Sequence, residues 1–446
     1  MDSIVPMPLS ASGDFASDAA AFSAYWRQAG QKLRQLPAKP KRDTAARDTA
    51  EAIKQASHEA RFVFLRRHAR AVYDRLTDNR RKFVRVERLV FDAAELVPGL
   101  GPTRAEVAAE AALRQSDKDG CEIDQGILCN QFLADRECGL HLCHAMLLPR
   151  EESADALGKF QRDGRLDLGA AKVERRGKAA VLLLSNSRFL NSEDSSTQAA
   201  TEIGADVCIL DRQSQVAVLR GDVVGEGKYV GRRVFNAGIN LTHLYYGRIP
   251  FLWFLVRDLG FVNKLTRGLA RPDVSPDEVT GDSIEKIWIS AVETFAIGGG
   301  CQILLATDFN IAARDAYMTL PARKEGIIPA MANLRLARFV GDRLARQAIM
   351  YERRFECDSD EGRLICDEIV APQDMDDAID RVAERITGSG VVGAIGNRRA
   401  LRFAVEPLDT FRRYAAIYAR EQAFCHFSPA LIANLERYWN AQNRKA

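Results

Sequence analysis

Three consecutive glycines, Gly298, Gly299 and Gly300, stand between a β-rich segment and an apolar helical segment. Glycines at such a junction let the backbone approach a ligand closely, and the helix that follows presents free N–H groups and a partial positive charge. This arrangement is suited to holding a developing oxyanion. Taken alone, the pattern also fits an ordinary tight turn.

Two further motifs flank the glycines in chain order. Residues 234–241, Val-Phe-Asn-Ala-Gly-Ile-Asn-Leu, run from a β-type segment into another glycine turn, and residues 317–329 end in Gly-Ile-Ile-Pro. Together the three motifs resemble the signatures of the crotonase (enoyl-CoA hydratase/isomerase) superfamily, over about residues 175–375. Thr294 departs from the resemblance, because the second signature usually has glycine there.

The resemblance implies an α/β fold with a crotonase-type ββα spiral core, in which two backbone amides hold the thioester oxygen of an acyl-CoA. On this chain those donors are the amides of Ile239 and Gly299, and Ala237, Asn240 and Gly298 are substrate-binding positions in the same turns. Preorganised donors bind an enolate more strongly than a neutral thioester, by about 3 to 4 kcal/mol per donor.

Hydration in this superfamily needs two carboxylates, and the positions that usually hold them carry Gln302 and Ala322. An amide and a methyl group cannot perform general acid–base catalysis, so simple hydration is disfavoured. Glu293 and Glu325 stand nearby at other positions of the pattern, and we interpret both as structural.

From about residue 60 onward the chain also resembles the arylacetyl-CoA dioxygenases of the superfamily. The matching segments are residues 122–126, 190–194, 233–241, 254–260, 298–302 and 320–330. This resemblance implies loss of a proton from Cα of a hydroxylated arylacetyl-CoA, with 3,5-dihydroxyphenylacetyl-CoA as the expected substrate. The carbanion then reacts with O2 without metal or flavin and yields the arylglyoxylate and free CoA.

The resemblance also implies roles for individual side chains. Glu193 is expected to hydrogen-bond the substrate or act as the base, Arg257 to contact a ring hydroxyl, and Gln302 to position the substrate. Ile327 is expected in an apolar wall that holds O2, and Arg188 is expected to grip a CoA phosphate.

Structural alternatives stay open for three of these residues. Glu193 could be an acid at a helix N-terminus, and Arg188 could be an ordinary surface arginine. Arg257 could pair with Asp258 or Glu285 instead of a substrate.

Histidines and cysteines offer two other kinds of site. His243 lies four residues past Ile239 and is an alternative base, although a lone histidine more often packs or caps. Cys138, His141 and His144 have the ligand types of a zinc site, but no fourth ligand follows at zinc-like spacing. We therefore expect neither a metal nor a cofactor. O2 and the CoA thioester are substrates.

The elements that must position these residues follow from changes in periodicity. Residues 1–170 have helical spacing and predict a helical N-terminal domain, and residues 171–375 alternate β-rich and helix-length stretches, which predicts the acyl-CoA-binding core. Residues 376–446 return to helix and are predicted to be an oligomerisation region. The resemblance implies a trimer or a dimer of trimers.

Composition excludes several other classes of protein. Lys and Arg number 63 against 60 Asp and Glu, too balanced for a chain whose main partner is nucleic acid. The apolar run 249–256 is far shorter than the roughly 20 residues of a membrane span. The first residues lack the features of a secretory signal, and nine irregularly placed cysteines are typical of reduced thiols. We expect a cytoplasmic protein without a membrane partner.

Two other functions remain open at this point. A hydrolase or isomerase of acyl-CoA would use the same oxyanion-binding turns. A catalytically silent protein that binds CoA esters would also retain them, because Gln302 and Ala322 are what loss of hydratase activity would leave.

Overall fold

The structure is a computed structural model that describes residues 9–444. It divides into two compact units, each discontinuous in sequence. The first comprises residues 9–146, 242–255 and 409–444, and the second comprises residues 147–241 and 256–408. The division into three consecutive domains stays a prediction.

The first unit is built from helices. Two of its longest helices begin at aspartates whose side chains accept a backbone N–H, Asp14 from Ser17 and Asp43 from Ala46, which satisfies donors that a helix leaves free. Phe22, Trp26 and Phe64 are buried against one another between these helices. The helices that lie wholly in this unit are Phe15–Gln35, Thr44–Leu76, Val86–Leu96, Arg104–Ala111, Ile123–Ala134 and Pro429–Trp439. Four more lie mostly in it and have one or two residues in the second unit: Arg136–Leu147, Leu241–Tyr245, Phe251–Arg257 and Leu408–His426.

The second unit contains the β-structure. Its larger sheet has the strand order β1-β2-β3-β4-β7-β9-β12, antiparallel from β1 to β3 and parallel from β3 to β12. The strands β3, β4 and β7 are buried along their whole length, as parallel strands covered on both faces require. The bounds are β1 Arg165–Asp167, β2 Ala171–Arg176, β3 Ala179–Leu184, β4 Val216–Gly221, β7 Ile287–Val292, β9 Phe309–Ala313 and β12 Glu368–Val370.

A smaller sheet makes the repeating pattern of the core visible. Its order is β11-β10-β8, with β8 at Phe295–Ile297, β10 at Tyr317–Thr319 and β11 at Phe355–Glu356. The chain runs from β7 to β8 and then into a helix, and from β9 to β10 and then into another helix. Each of these two segments thus contributes one strand to the larger sheet, one strand to the smaller sheet and one helix. This repeat is the expected ββα spiral. The strands β5, Leu269–Ala270, and β6, Ser283–Ile284, pair separately.

Helices surround these sheets in the second unit. They are Ser153–Asp163, Gln198–Leu210, the π-helix Asp258–Val262, Asn263–Arg267, Gly299–Leu304, Ala322–Glu325, Ala332–Tyr351, Met375–Thr387 and Val391–Val405. None of the helices within residues 9–444 is both long and apolar enough to cross a bilayer.

The β-type segment expected at the start of residues 234–241 is not a regular strand. Only isolated bridges occur there, from Arg233 to Val223 and from Asn236 to Ala296. The backbone bends at Gly238, where φ is +78°, so the segment leaves its neighbours before a ladder can extend.

Candidate active site

The two glycine turns lie side by side in the second unit. Asn236 and Ala296 form a parallel bridge, and the Ile297 amide donates to the Asn236 carbonyl over 3.0 Å. A methyl group placed on Gly238 would lie 3.2 Å from the Gly299 nitrogen. The pairing of the two segments therefore brings the two motifs together at their turns.

Both expected oxyanion donors are free to act at this junction. Gly298 has φ 52° and ψ −108°, a conformation that side chains disfavour, and it caps the helix Gly299–Leu304. Gly299 is the first residue of that helix, so its amide has no carbonyl within the helix to bind. Within residues 9–444, neither the Ile239 amide nor the Gly299 amide donates a hydrogen bond.

A buried ion pair lies against the Gly299 turn. Arg257 donates from Nε to Oε2 of Glu193 over 2.5 Å and from Nη2 to Oε1 over 2.8 Å. Glu193 is 7% exposed and Arg257 4% exposed. A methyl group on Gly299 would collide with Oε1 of Glu193, so the close approach of the pair requires glycine at this position.

The remaining N–H groups of Arg257 are also occupied. Nη1 donates to Oδ1 of Asp258 over 2.9 Å and to Oε1 of Gln302 over 2.8 Å, and the second N–H of Nη2 donates to the Gly299 carbonyl over 3.0 Å. An arginine side chain has five N–H donors, and all five have acceptors here. The guanidinium thus holds the carboxylate, the amide and the glycine turn in one arrangement.

Backbone pairing fixes Glu193 beside the first turn. The Glu193 amide donates to the Gly238 carbonyl over 2.7 Å, and the Asn240 amide donates to the Glu193 carbonyl over 2.8 Å. The Asn240 side chain also donates to Asp194 over 3.0 Å. Ile239 is the residue between Gly238 and Asn240, so these two backbone hydrogen bonds hold Glu193 beside the Ile239 amide.

Glu325, which we interpreted as structural from its position in the motif, lies at the same junction. It ends the helix Ala322–Glu325, and its Oε1 lies 3.8 Å from the position of a methyl group placed on Gly298. The side chain is 9% exposed. Burial raises the pKa of its carboxyl to about 7. The sequence feature that could have identified it is an acidic residue directly before a glycine, Gly326, inside the third motif. In the structure this glycine is left-handed and ends the helix.

Other positions named from the sequence differ in exposure. Ala237 and Ile327 are half-buried, whereas the Arg188 side chain is 71% exposed, with Nε 3.9 Å from Glu226. Ala322, at one of the positions that hydratases fill with a carboxylate, is buried.

Two glutamates considered above have arginine partners. Glu293 accepts two hydrogen bonds from Arg220, at 2.7 and 2.8 Å. Glu285 pairs with Arg398 and Arg402, whereas Arg257 pairs with Asp258. Of the two structural partners considered for Arg257, only Asp258 is in contact with it.

The histidine and cysteine alternatives belong to the first unit. His141 accepts or donates a hydrogen bond with the Tyr73 hydroxyl at 2.8 Å, and His141 and His144 both stack on Phe83. Burial lowers the pKa of His141 to about 4. Within residues 9–444, no three or more His, Cys, Asp or Glu side chains are grouped so that they could hold a metal ion.

Comparison with known proteins places this chain in a family. Residues 277–408 match the enoyl-CoA hydratase/isomerase family. The chain is 42% identical over 401 residues to (3,5-dihydroxyphenyl)acetyl-CoA 1,2-dioxygenase from Amycolatopsis orientalis, covering 90% of this chain and 91% of that protein. This chain belongs to the crotonase superfamily.

More distant members of the crotonase superfamily share less of the chain. A short-chain-enoyl-CoA hydratase from Clostridium acetobutylicum is 24% identical over 248 residues, covering 55% of this chain and 86% of that protein. The crystal structure of an enoyl-CoA hydratase from Mycobacterium avium subsp. paratuberculosis is 16% identical, with a TM-score of 0.50, and covers 63% of this chain and 99% of that chain. This likeness confirms the crotonase-type fold.

Proposed function

We propose that this crotonase-superfamily protein is a cofactor-independent dioxygenase of hydroxylated arylacetyl-CoA, with 3,5-dihydroxyphenylacetyl-CoA as the expected substrate. The buried cluster of Glu193, Arg257 and Gln302 beside the amides of Ile239 and Gly299 is the observation that carries this proposal. The 42% identity to a dioxygenase of that substrate supports it.

The proposed reaction begins at the paired turns. The amides of Ile239 and Gly299 donate to the thioester oxygen, and the enolate formed when Cα loses a proton binds them more strongly than the thioester does. The electron pair left on Cα reduces O2, and a C–O bond forms there. The terminal peroxide oxygen then attacks the thioester carbon. The C–S bond breaks and expels the CoA thiolate. The O–O bond then breaks as Cα loses its second proton, which gives the arylglyoxylate, and the thiolate takes up a proton and leaves as free CoA.

The polar cluster is suited to a ring that carries hydroxyl groups. Both oxygens of Glu193 keep lone pairs that can accept a phenol O–H, and Nε2 of Gln302 can donate to a phenol oxygen. Because the N–H groups of Arg257 are occupied, we propose that this residue acts by fixing Glu193 and Gln302. A direct contact between Arg257 and a ring hydroxyl stays a prediction.

Three features of the scheme are further proposals. The substrate carbanion is the reductant, so neither a metal nor a flavin is needed. Ile327 lies two residues beyond Glu325 in the third motif, which fits its expected place in the O2 wall. The exposed guanidinium of Arg188 is available to a CoA phosphate.

Assembly and location are proposed on separate grounds. The helix Val391–Val405 exposes apolar side chains, with Val392 at 86%, Leu401 at 68% and Val405 at 56%, which supports a role in forming a trimer or hexamer. All nine cysteines carry free thiols, which fits the cytoplasm.

Oxygen uptake with a panel of arylacetyl-CoA thioesters tests the proposal. We expect uptake of one O2 for each CoA released, with hydroxylated rings preferred over phenylacetyl-CoA. Release of CoA without O2 uptake would indicate the hydrolase instead. Binding of the thioesters without any turnover would indicate a catalytically silent protein.

A further inference from the structure

A buried carboxyl without a protein partner borders the two glycine turns. Glu325 Oε1 lies 3.8 Å from where a methyl group on Gly298 would be, and Cα of Gly238 lies at the same distance from that point. The carboxyl is thus next to the residue that precedes the Gly299 donor. This is where the thioester end of an acyl-CoA must lie if the two amides bind its oxygen.

The side chain has no evident structural task. Within residues 9–444, the Glu325 carboxyl makes no hydrogen bond and no ion pair. Its helix neighbours Arg323 and Lys324 instead pair with Glu352. Because a buried carboxyl without a partner is costly, a position that keeps one suggests a use for it.

The other groups at this junction are already engaged or cannot accept a proton. Both oxygens of Glu193 accept hydrogen bonds from the Arg257 guanidinium. Gln302 is an amide and Ala322 is a methyl group. Glu325 is the carboxyl of the junction that carries no such charge partner. Burial raises its pKa to about 7, close to the value that favours general base catalysis at neutral pH.

We propose that Glu325 is the general base that removes the proton from Cα of the arylacetyl-CoA. The C–H bond breaks, the proton forms an O–H bond on the Glu325 carboxylate, and the electron pair becomes the enolate whose oxygen the amides of Ile239 and Gly299 bind. This inference rests on the proposed function, because it assigns the step that precedes reaction with O2.

The test compares Glu325→Gln with the wild type in two assays. Deuterium uptake at Cα of 3,5-dihydroxyphenylacetyl-CoA in D2O without O2 reports C–H cleavage alone, and O2 uptake reports the complete reaction. General base catalysis contributes about 10²- to 10⁴-fold, so we expect both rates to fall at least 100-fold in the variant. Glu325→Asp, which withdraws the carboxyl by one methylene, should retain an intermediate rate.

Two controls separate lost chemistry from lost structure. Benzoyl-CoA has no α-hydrogen, and its Kd should stay within threefold of the wild-type value in Glu325→Gln. Glu352→Gln removes the carboxylate that pairs with Arg323 and Lys324 on the same helix, and it should retain wild-type rates in both assays.

The outcomes separate the base from the overall reaction. If the wild type exchanges deuterium without consuming O2 and Glu325→Gln loses the exchange, the base assignment stands and the dioxygenase proposal fails. If Glu325→Gln stays within threefold of the wild type in whichever assay the wild type supports, the base assignment is wrong. A folded variant that has lost affinity for benzoyl-CoA also overturns it in favour of a binding role.

Discussion

The Arg257 guanidinium binds the Glu193 carboxylate through two hydrogen bonds, 2.5 Å from Nε and 2.8 Å from Nη2. The two residues are separated by 64 positions in the chain and both are buried. Their pairing neutralises a carboxylate beside the Gly299 turn, which we propose stabilises an enolate. An unpaired negative charge at that place would oppose formation of a second one.

A double-mutant cycle should detect this pairing. Arg257→Met and Glu193→Gln should each lower the free energy of unfolding by about 3 kcal/mol, because each leaves a buried polar group without its partner. The double variant should lose less than the sum, with a coupling energy of about 2 kcal/mol. Urea denaturation of the four proteins measures it, and strictly additive losses would show that the pair is not coupled.

Arg257→Lys should separate substrates. Lysine keeps the charge but cannot supply five N–H groups in a plane, so Glu193 and Gln302 lose their fixed geometry. We expect kcat/KM to fall about ten- to a hundredfold for 3,5-dihydroxyphenylacetyl-CoA and less for phenylacetyl-CoA, and the melting temperature to fall as well. Equal losses for both thioesters would indicate that Arg257 supports the Gly299 turn rather than ring recognition.

Adding one carboxylate should not produce a hydratase. Gln302→Glu places an acid 2.8 Å from the Arg257 guanidinium, which would hold it ionised, and Ala322 still supplies no second acid–base group. We expect no hydration of crotonyl-CoA above background, measured by loss of the enoyl absorbance. Efficient hydration by this variant or by the wild type would contradict the argument from the missing carboxylates.

Glu325 should make folding stability depend on pH in a characteristic direction. Its pKa is about 7 in the folded protein and near 4.5 when unfolded, so between these values the folded state binds more protons. The contribution of Glu325 to the free energy of unfolding therefore falls as pH rises from 4.5 to 7, by up to roughly 3 kcal/mol. Glu325→Gln should lack this component.

Chemical denaturation of the wild type and of Glu325→Gln at pH 5 and pH 8 measures this component as the difference between their free energies of unfolding. The other titratable groups are common to both proteins, so their contributions cancel. A difference in stability that does not change with pH would show that the Glu325 carboxyl is solvated.

Glu285 should produce the opposite dependence. Burial alone would raise its pKa, but the hydrogen bond from Arg402 and the charges of Arg398 and Arg402 lower it to about 2. The ionised carboxylate of Glu285 contributes roughly 3 kcal/mol to the free energy of unfolding. This contribution is complete above about pH 4.5 and is lost as pH falls through 2. Glu285→Gln should destabilise the protein at pH 6 much more than at pH 3, measured by denaturation. Equal destabilisation at both values would contradict the assigned pKa.

Chelation should leave the reaction intact. In the proposed scheme the substrate carbanion supplies the electrons that reduce O2, so no bound metal takes part. O2 uptake after dialysis against a strong chelator should remain within experimental error of the untreated protein. Loss of turnover that iron or copper restores would overturn this scheme.

The sequence predicted the core and the glycine turns because local patterns determine them. The spacing of apolar residues marked β3, β4 and β7, and the Gly motifs marked the turns where Ile239 and Gly299 lie. The helix Val391–Val405 lies within residues 376–446, which were predicted to be helical, but its own pattern does not mark where it begins and ends. Its apolar residues are largely exposed, so it lacks the one-sided pattern on which helix prediction depends.

The site was only partly predictable for a different reason. Glu193, Arg257 and Gln302 could be named, but four of the five hydrogen bonds of Arg257 depend on residues 42 to 64 positions away. Glu325 was interpreted as structural because it is not at a position where hydratases keep an acid. Its burial beside Gly298 arises from the pairing of β8 with β10, which sequence spacing does not reveal.

Thr294, the residue that departs from the usual glycine, links the two segments that lead into the turns. It adopts φ 65°, and its hydroxyl donates to the Arg233 carbonyl over 2.7 Å. A β-branched residue in this conformation stores about 1 to 3 kcal/mol of strain, which the hydrogen bond partly offsets. The bond resists sliding of one segment past the other, so the spacing of the Ile239 and Gly299 amides is already set in the unliganded protein. Thermal motion should therefore displace the Ile239 and Gly299 amides together.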